Sequence, residues 1–302
     1  MEHESNRTRR SFLQGSLSCA ILAGIGDTRT AAAPSRKGWQ IGCYTRPWAD
    51  FDYLTAFDSI AQAGYRHLGL MTTAPGNRLL ISLSNSEAEA AKIGREARDR
   101  GLAILTVYGG DFNAEKSVEA GIEGLRRLID LSAACGSSSL LLGGTEKPGL
   151  VDAYYETVRR CCEYAKEKKL LLTVKPHGGM NATGPQCRKI LEKVGHPSFR
   201  LWYDPGNIFY YSEGKLDPAE DAATVDGLVC GMSVKDYLPP QNVEVTPGTG
   251  QVNFPAVLAR LKKGGFHSGP LVVECLKRGD LASLTREAEQ ARRSLEGWLE
   301  AL

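Results

Sequence analysis

From residue 139 onward, five apolar runs each end in side chains that can move protons or hold charge. Ser139-Leu140-Leu141-Leu142-Gly143 leads into Gly144-Thr145-Glu146. Leu170-Leu171-Leu172-Thr173-Val174 leads into Lys175-Pro176-His177-Gly178-Gly179, with Asn181 beyond. Phe199-Arg200-Leu201-Trp202-Tyr203 leads into Asp204-Pro205-Gly206-Asn207. Leu228-Val229-Cys230-Gly231-Met232 leads into Ser233-Val234-Lys235-Asp236, and Pro270-Leu271-Val272-Val273 into Glu274. Two earlier runs end similarly, one in Tyr44 and Arg46, the other in Tyr108 and the Gly109-Gly110-Asp111 turn. Carboxylates, an imidazole and lysines together can perform general acid–base catalysis, polarise a carbonyl or bind a divalent ion. One polar residue after an apolar run means little, because loops are polar. Five in succession point to one shared site.

Something must bring these run ends together. From Gly38 onward, short apolar runs alternate with stretches of helical period. Eight such pairs can be counted. The runs span 39–44, 67–71, 103–108, 139–143, 170–175, 199–204, 228–234 and 270–275. The helical patterns span 52–63, 86–100, 115–134, 151–168, 184–194, 254–263 and 281–302. After the sixth run the connection reads as irregular, with a helical segment near 218–225. Continuously apolar strands are buried on both faces, as in a parallel sheet covered by helices. Eight strand–helix units in this length predict an α/β chain folded as a single-domain (β/α)8 TIM barrel, whose active sites lie at the C-terminal strand ends. An open doubly wound sheet is the rival, but no Gly-x-Gly-x-x-Gly follows the first run to mark a dinucleotide site.

Composition limits the function further. The 302 residues carry 37 Lys and Arg against 35 Asp and Glu, and 42% are hydrophobic. That balance argues against a nucleic-acid binder and against a disordered chain. The N-terminus reads as an address. Arg9-Arg10-Ser11-Phe12-Leu13-Gln14 precedes a short apolar run, Leu17 to Ile25, and then Ala31-Ala32-Ala33-Pro34. This is the pattern of a signal peptide, and the run is too short to span a membrane. The paired arginines resemble the bacterial twin-arginine export signal, which implies a periplasmic protein exported already folded. Residues 1–33 are therefore read as the signal and 34–302 as the barrel, with no transmembrane segment in the mature protein. Seven of the eight cysteines remain after cleavage, and their apolar surroundings favour buried small hydrophobes over disulfides.

The run-end motifs Lys175-Pro176-His177-Gly178-Gly179, Tyr203-Asp204-Pro205-Gly206-Asn207, Ser233-Val234-Lys235-Asp236 and Val273-Glu274 resemble the sugar phosphate isomerase/epimerase superfamily, with its xylose isomerase-like barrel. The resemblance implies a carbohydrate substrate and one divalent metal (Mn, Mg or Zn) held by Glu, Asp, His and Glu from four strand ends. The two glutamates would move a proton between neighbouring carbons of a keto sugar, and the metal would polarise the carbonyl. Here Asp204 and Glu274 stand at two of those positions. Lys175 stands at the strand-five glutamate and Ser233 at the strand-seven histidine.

Three readings follow. A rearranged metal site could use Asp204, Glu274 and His177. Lys175 could instead replace the metal, with its ammonium between Asp204 and Glu274. The barrel could also bind carbohydrate without catalysis, Lys175 then being a plain buried ion pair. The first two predict isomerisation, epimerisation or the related β-elimination of a sugar lyase or dehydratase, acting on a keto sugar or polyol. Glu274, His177 and Lys175 are the expected catalytic residues, and Tyr44, Arg46, Tyr108, Glu146, Asn207 and Lys235 the expected substrate contacts. Lys235-Asp236 also reads as a local ion pair. Whether copies of the chain form a homo-oligomer stays open.

Overall fold

The apolar runs form parallel strands that close into a ring. In a computed structural model describing residues 38–302, β1 (Trp39–Tyr44) and β2 (His67–Leu70) precede a small hairpin, β3 (Thr72–Thr73) and β4 (Arg78–Leu79). Then come β5 (Ala103–Tyr108), β6 (Ser139–Leu142), β7 (Leu171–Val174), β8 (Phe199–Tyr203), β9 (Val229–Val234) and β10 (Gly269–Val273). The order β1-β10-β9-β8-β7-β6-β5-β2 is a closed barrel of eight strands. Parallel pairing of β1 with β10 seals it, Trp39 opposite Gly269 and Cys43 opposite Val273. The (β/α)8 barrel expected from the sequence is the fold observed. The expected signal over residues 1–33 lies outside the described residues.

The helices that cover the ring are α1 (Tyr53–Gln62), α2 (Glu87–Asp99), α3 (Val118–Cys135), α4 (Val151–Glu167), α5 (Gly184–Val194), α6 (Pro205–Tyr211), α7 (Pro218–Ala222), α8 (Phe254–Lys263) and α9 (Leu281–Glu300). Local chemistry sets many of their ends. The Asp52 carboxylate accepts from Leu54 N and Thr55 N at the start of α1. Ser86 and Glu89 form a reciprocal capping box on α2. Gly136, at φ 87°, takes the left-handed position that ends α3. These caps satisfy backbone groups that a helix end leaves unpaired. No described helix is long and apolar enough to cross a membrane.

Two layers of core result. One lies between strands and helices. The other fills the barrel itself with Tyr44, Met71, Leu105, Leu141, Trp202 and Val272. The two large aromatics of the inner layer fit because glycines face them. A Cβ on Gly69 would lie 2.4 Å from the Tyr44 ring, and one on Gly231 2.4 Å from the Trp202 ring.

Two elements were not foreseen. The connection after β8 is not irregular at its start, because α6 begins immediately. Asp204 caps it by accepting from Asn207 N, and Pro205 sits in its first turn. Asp-Pro after a strand is thus a helix start here rather than a turn. The β3–β4 hairpin follows β2, its turn carrying Pro75-Gly76-Asn77, which was a legible turn signal. The seven described cysteines are all free and six are buried, as the apolar reading of them expected. Burial raises the pKa of every one of these thiols.

Gly231→Ala would drive a methyl group into the Trp202 ring. Overpacking of this kind costs about 1–3 kcal/mol. Urea unfolding followed by tryptophan fluorescence is expected to show that loss, whereas Gly149→Ala, whose Cβ would meet nothing within 4 Å, is expected to leave stability nearly unchanged.

Candidate functional site

The C-terminal ends of β7 to β10 deliver four charged side chains to one point. Lys175 Nζ lies 2.8 and 2.7 Å from the two Glu274 carboxylate oxygens and 3.1 Å from Asp204 Oδ2. Lys235 Nζ lies 2.6 Å from Glu274 Oε1, 3.3 Å from Asp204 Oδ2 and 3.0 Å from Asn207 Oδ1. All four charged residues are at most 5% exposed. Two ammonium groups therefore balance two carboxylates in a region of low dielectric, where an unpaired charge would be costly.

Neighbours complete the cluster. Ser233 Oγ donates to Glu274 Oε2 at 2.6 Å and accepts from Trp202 Nε1 at 3.2 Å. Asn207 Nδ2 donates to Pro176 O at 2.6 Å, tying the β7 end to α6. Asn181 Nδ2 donates to Gly143 O and Lys175 O, joining the β6 and β7 ends. Burial alone would raise the Glu274 pKa, but Lys175, Lys235 and Arg46 hold its carboxyl well below the usual range. Burial likewise opposes the charge on Lys235, yet Asp204 and Glu274 raise its pKa.

Above the cluster opens a cleft of about 290 Å³, near the small end of the roughly 300–1,000 Å³ range of ligand sites. Lys175, Lys235, Glu274 and Asn207 line it together with Arg46, Tyr108, His177 and Tyr211. His177 sits between two aromatic rings, with centroids 6.3 Å from Tyr108 and 5.8 Å from Tyr211. Burial, with Lys175 and Lys235 nearby, pushes its pKa down to about 3, so the imidazole is neutral at ordinary pH. Burial, aided by Glu274, raises Tyr108 to about 12.

The expected site residues divide as follows. Lys175, His177, Glu274, Arg46, Tyr108, Asn207 and Lys235 share the cleft. Glu146 lines a neighbouring cleft that shares Tyr108 and His177. Tyr44 does not reach the mouth. Its side chain is fully buried in the inner core, because Gly69 leaves room for the ring inside the barrel. Asp204 also lies beneath the cleft, wholly buried. The sequence did not single out Leu79 and Asn77 of the hairpin or Val243, which also line the cleft.

Lys235 and Asp236 are not a local ion pair. Lys235 turns into the cluster, and Asp236 turns away to accept four backbone hydrogen bonds. They come from Tyr237, Gly248, Gly250 and Val252 at 2.8–3.0 Å. The fully buried Asp236 thereby folds the segment between β9 and α8, which carries Val243 to the cleft and Glu244 to Arg46 at 2.8 Å. Glycines at 248 and 250 behind a strand-end Asp were the available signal. A Cβ on Gly250 would lie 2.3 Å from Asp236 Oδ1.

The donor set tests whether a divalent metal fits. Lys175 Nζ sits within hydrogen-bonding distance of both Asp204 and Glu274, where a cation would bind them. Ser233 spends its proton on Glu274, and His177 joins neither carboxylate. Among the described residues no group of three or more His, Cys, Asp or Glu is gathered to hold a metal. The set Asp204, Glu274 and His177 expected as ligands is therefore not assembled, because a lysine ammonium carries the positive charge and cannot ligate. The residues present do not fit a divalent ion.

Three outcomes are expected. The His177 ring resonances should not titrate between pH 5 and 8 in NMR spectra, and in Lys175→Met, which removes one of the cations that lower its pKa, the midpoint should move upward. Its lowered pKa also means that the unfolded chain binds more protons between about pH 3 and the ordinary histidine value. The lowered Glu274 pKa acts in the same direction, so stability should fall as pH drops through this window. Asp236→Ala leaves four loop N–H groups without their acceptor, at about 1–3 kcal/mol for each buried group left unsatisfied. Limited proteolysis of that variant should cut first between residues 238 and 250, while the wild-type loop resists.

Comparison with known proteins agrees with this architecture. The profile of the xylose isomerase-like TIM barrel family matches residues 57–302. A protein of Mycoplasma pneumoniae named as a probable L-ribulose-5-phosphate 3-epimerase is 31% identical over 100 residues, 33% of this chain and 32% of the relative. The match thus spans about a third of that relative's length. Among solved structures, a D-psicose 3-epimerase crystallised in the presence of D-fructose aligns with a TM-score of 0.69 at 14% identity, covering 86% of this chain and 99% of that one. A xylose isomerase domain protein from Planctomyces limnophilus aligns at 0.67 and 17% identity, covering 86% and 97%. A D-allulose 3-epimerase from Methylomonas sp. aligns at 0.66 and 17%, covering 87% and 99%. At such identities the likeness to solved structures is one of fold. With the profile covering most of the barrel, the chain belongs to the xylose isomerase-like TIM barrel family.

Proposed function

We propose that this protein is a carbohydrate isomerase or epimerase that moves a proton next to the carbonyl of a keto sugar, with lysine ammonium groups in place of a divalent metal. The observation that carries the reading is Lys175 Nζ, held 2.7–3.1 Å from Asp204 and Glu274 at the floor of the cleft. Epimerases among its relatives and structural neighbours support a sugar substrate. The paired arginines near the N-terminus support export to the periplasm, and a substrate without phosphate.

Each residue has a role in this reading. Lys175 and Lys235 place fixed positive charge under the substrate carbonyl, favouring the negative oxygen that develops when a neighbouring C–H proton leaves. Asp204 and Glu274 hold the two ammonium groups in place. His177, neutral on the cleft wall, takes the proton from one carbon and delivers it to the neighbouring carbon, while the adjacent hydroxyl proton passes to the former carbonyl oxygen, so that the carbonyl moves by one position. The same cations that depress its pKa make the imidazolium short-lived, which favours return to carbon. Arg46, Tyr108, Asn207 and Tyr211 bind hydroxyl groups.

A second reading has an observation in its favour. Glu274 is pinned by two lysines and a serine, and His177 is a weak base, so neither is poised as proton acceptor near neutral pH. A barrel that binds carbohydrate without catalysis accounts for that.

Solvent exchange separates the two. In D2O, with a chelator present, a panel of keto sugars should gain deuterium at the carbon next to the carbonyl, and Lys175→Met should lower the rate by about 10²-fold or more, the usual scale for losing one electrostatic stabiliser. An ultraviolet-absorbing unsaturated product would assign β-elimination instead. Activity that disappears with the chelator would overturn the lysine version. Sugar binding with no exchange across the panel would leave the binding reading alone.

A further inference from the structure

The cleft above the charge cluster has a neighbour, and the two share part of their lining. A second lobe, of about 320 Å³, opens beside it between the ends of β5 and β6. Tyr108 and His177 line both lobes, so their rings form a shared waist. The two rings hold these positions because Gly143 has no side chain: a Cβ there would lie 2.6 Å from Tyr108 Oη and 3.4 Å from His177 Nδ1.

The second lobe differs from the first in chemistry. Its walls include Asp111, Thr145, Glu146, Leu150 and Tyr154. Oxygen acceptors thus stand beside aromatic and aliphatic surface. The one lysine there, Lys147, pairs with Glu115. A lobe of acceptors whose cation is already engaged suits hydroxyl groups and repels phosphate. Aromatic and aliphatic walls suit the C–H face of a sugar ring. The two lobes are also nearly equal in size, and each approaches the lower end of the range for a small ligand.

We propose that the two lobes form one binding site for a two-ring glycoside. The keto-sugar unit lies over Lys175 and Lys235, its carbonyl free when that ring opens, and the second, neutral ring passes Tyr108 and His177 into the β5–β6 lobe. This inference rests on the carbohydrate reading above but not on catalysis.

Titration calorimetry with the full chain tests it. The probes are fructose and four keto-disaccharides: maltulose, lactulose, turanose and isomaltulose. At least one disaccharide should bind tenfold or more tightly than fructose. Thr145→Trp and Leu150→Arg, which obstruct the second lobe from two sides, should each bring that ratio back to about one. A ratio near one in the wild type, or a preference that survives both variants, would overturn the inference. Binding of none of the five sugars would overturn it together with the carbohydrate reading. A preference without deuterium exchange would sink only the proton-transfer step and support the two-ring site.

Discussion

Two carboxylates and two ammonium groups, all buried, hold one another at the mouth of this barrel. Neither pair could stay charged there alone. Removing one member of such a buried set costs about 3–5 kcal/mol, because the partner is left without compensation. Much of the local structure is arranged around that constraint. Asp204 also caps α6, and Asn207 from that helix faces Lys235. Glu274 receives the Ser233 hydroxyl, which in turn receives the Trp202 indole N–H. A line of hydrogen bonds thus runs from the inner core to the charge cluster.

The scaffold was largely legible in the sequence. Continuous apolar runs such as 139–143 and 270–275, short and bounded by turn residues, suit a sheet covered on both faces, and their number matched the closed ring. The charged residues at the run ends were legible for the same reason, since strand direction places them together. What the sequence hid was direction within the mouth. Tyr44 ends β1 just as Tyr108 ends β5, yet only Tyr108 lines the cleft. The difference lies in Gly69, one strand away, which opens space inside the barrel. Asp236 looked like the partner of Lys235 because the two are adjacent. In an extended segment, neighbouring side chains point to opposite faces, and the two serve different neighbours. The export signal is a sequence reading on residues outside the described part of the chain.

Rigid and irregular parts divide the work at the mouth. Strand ends supply the charges, whose positions the closed barrel sets. The β3–β4 hairpin and the segment after β9 supply walls, through Leu79, Asn77 and Val243. Such walls can change size or polarity without disturbing the charge cluster.

The cysteines have a consequence for the order of events in the life of the chain. Seven thiols, each less acidic than usual once folded, react slowly with oxidants while the barrel is intact, because the thiolate is the reactive form. The unfolded chain exposes all of them to one another and to any oxidant. A chain that met an oxidant before folding would be open to mispairing, whereas one that folded first would carry six of its seven described thiols buried. For this barrel the timing of folding, more than the redox potential around it, decides whether its cysteines stay reduced.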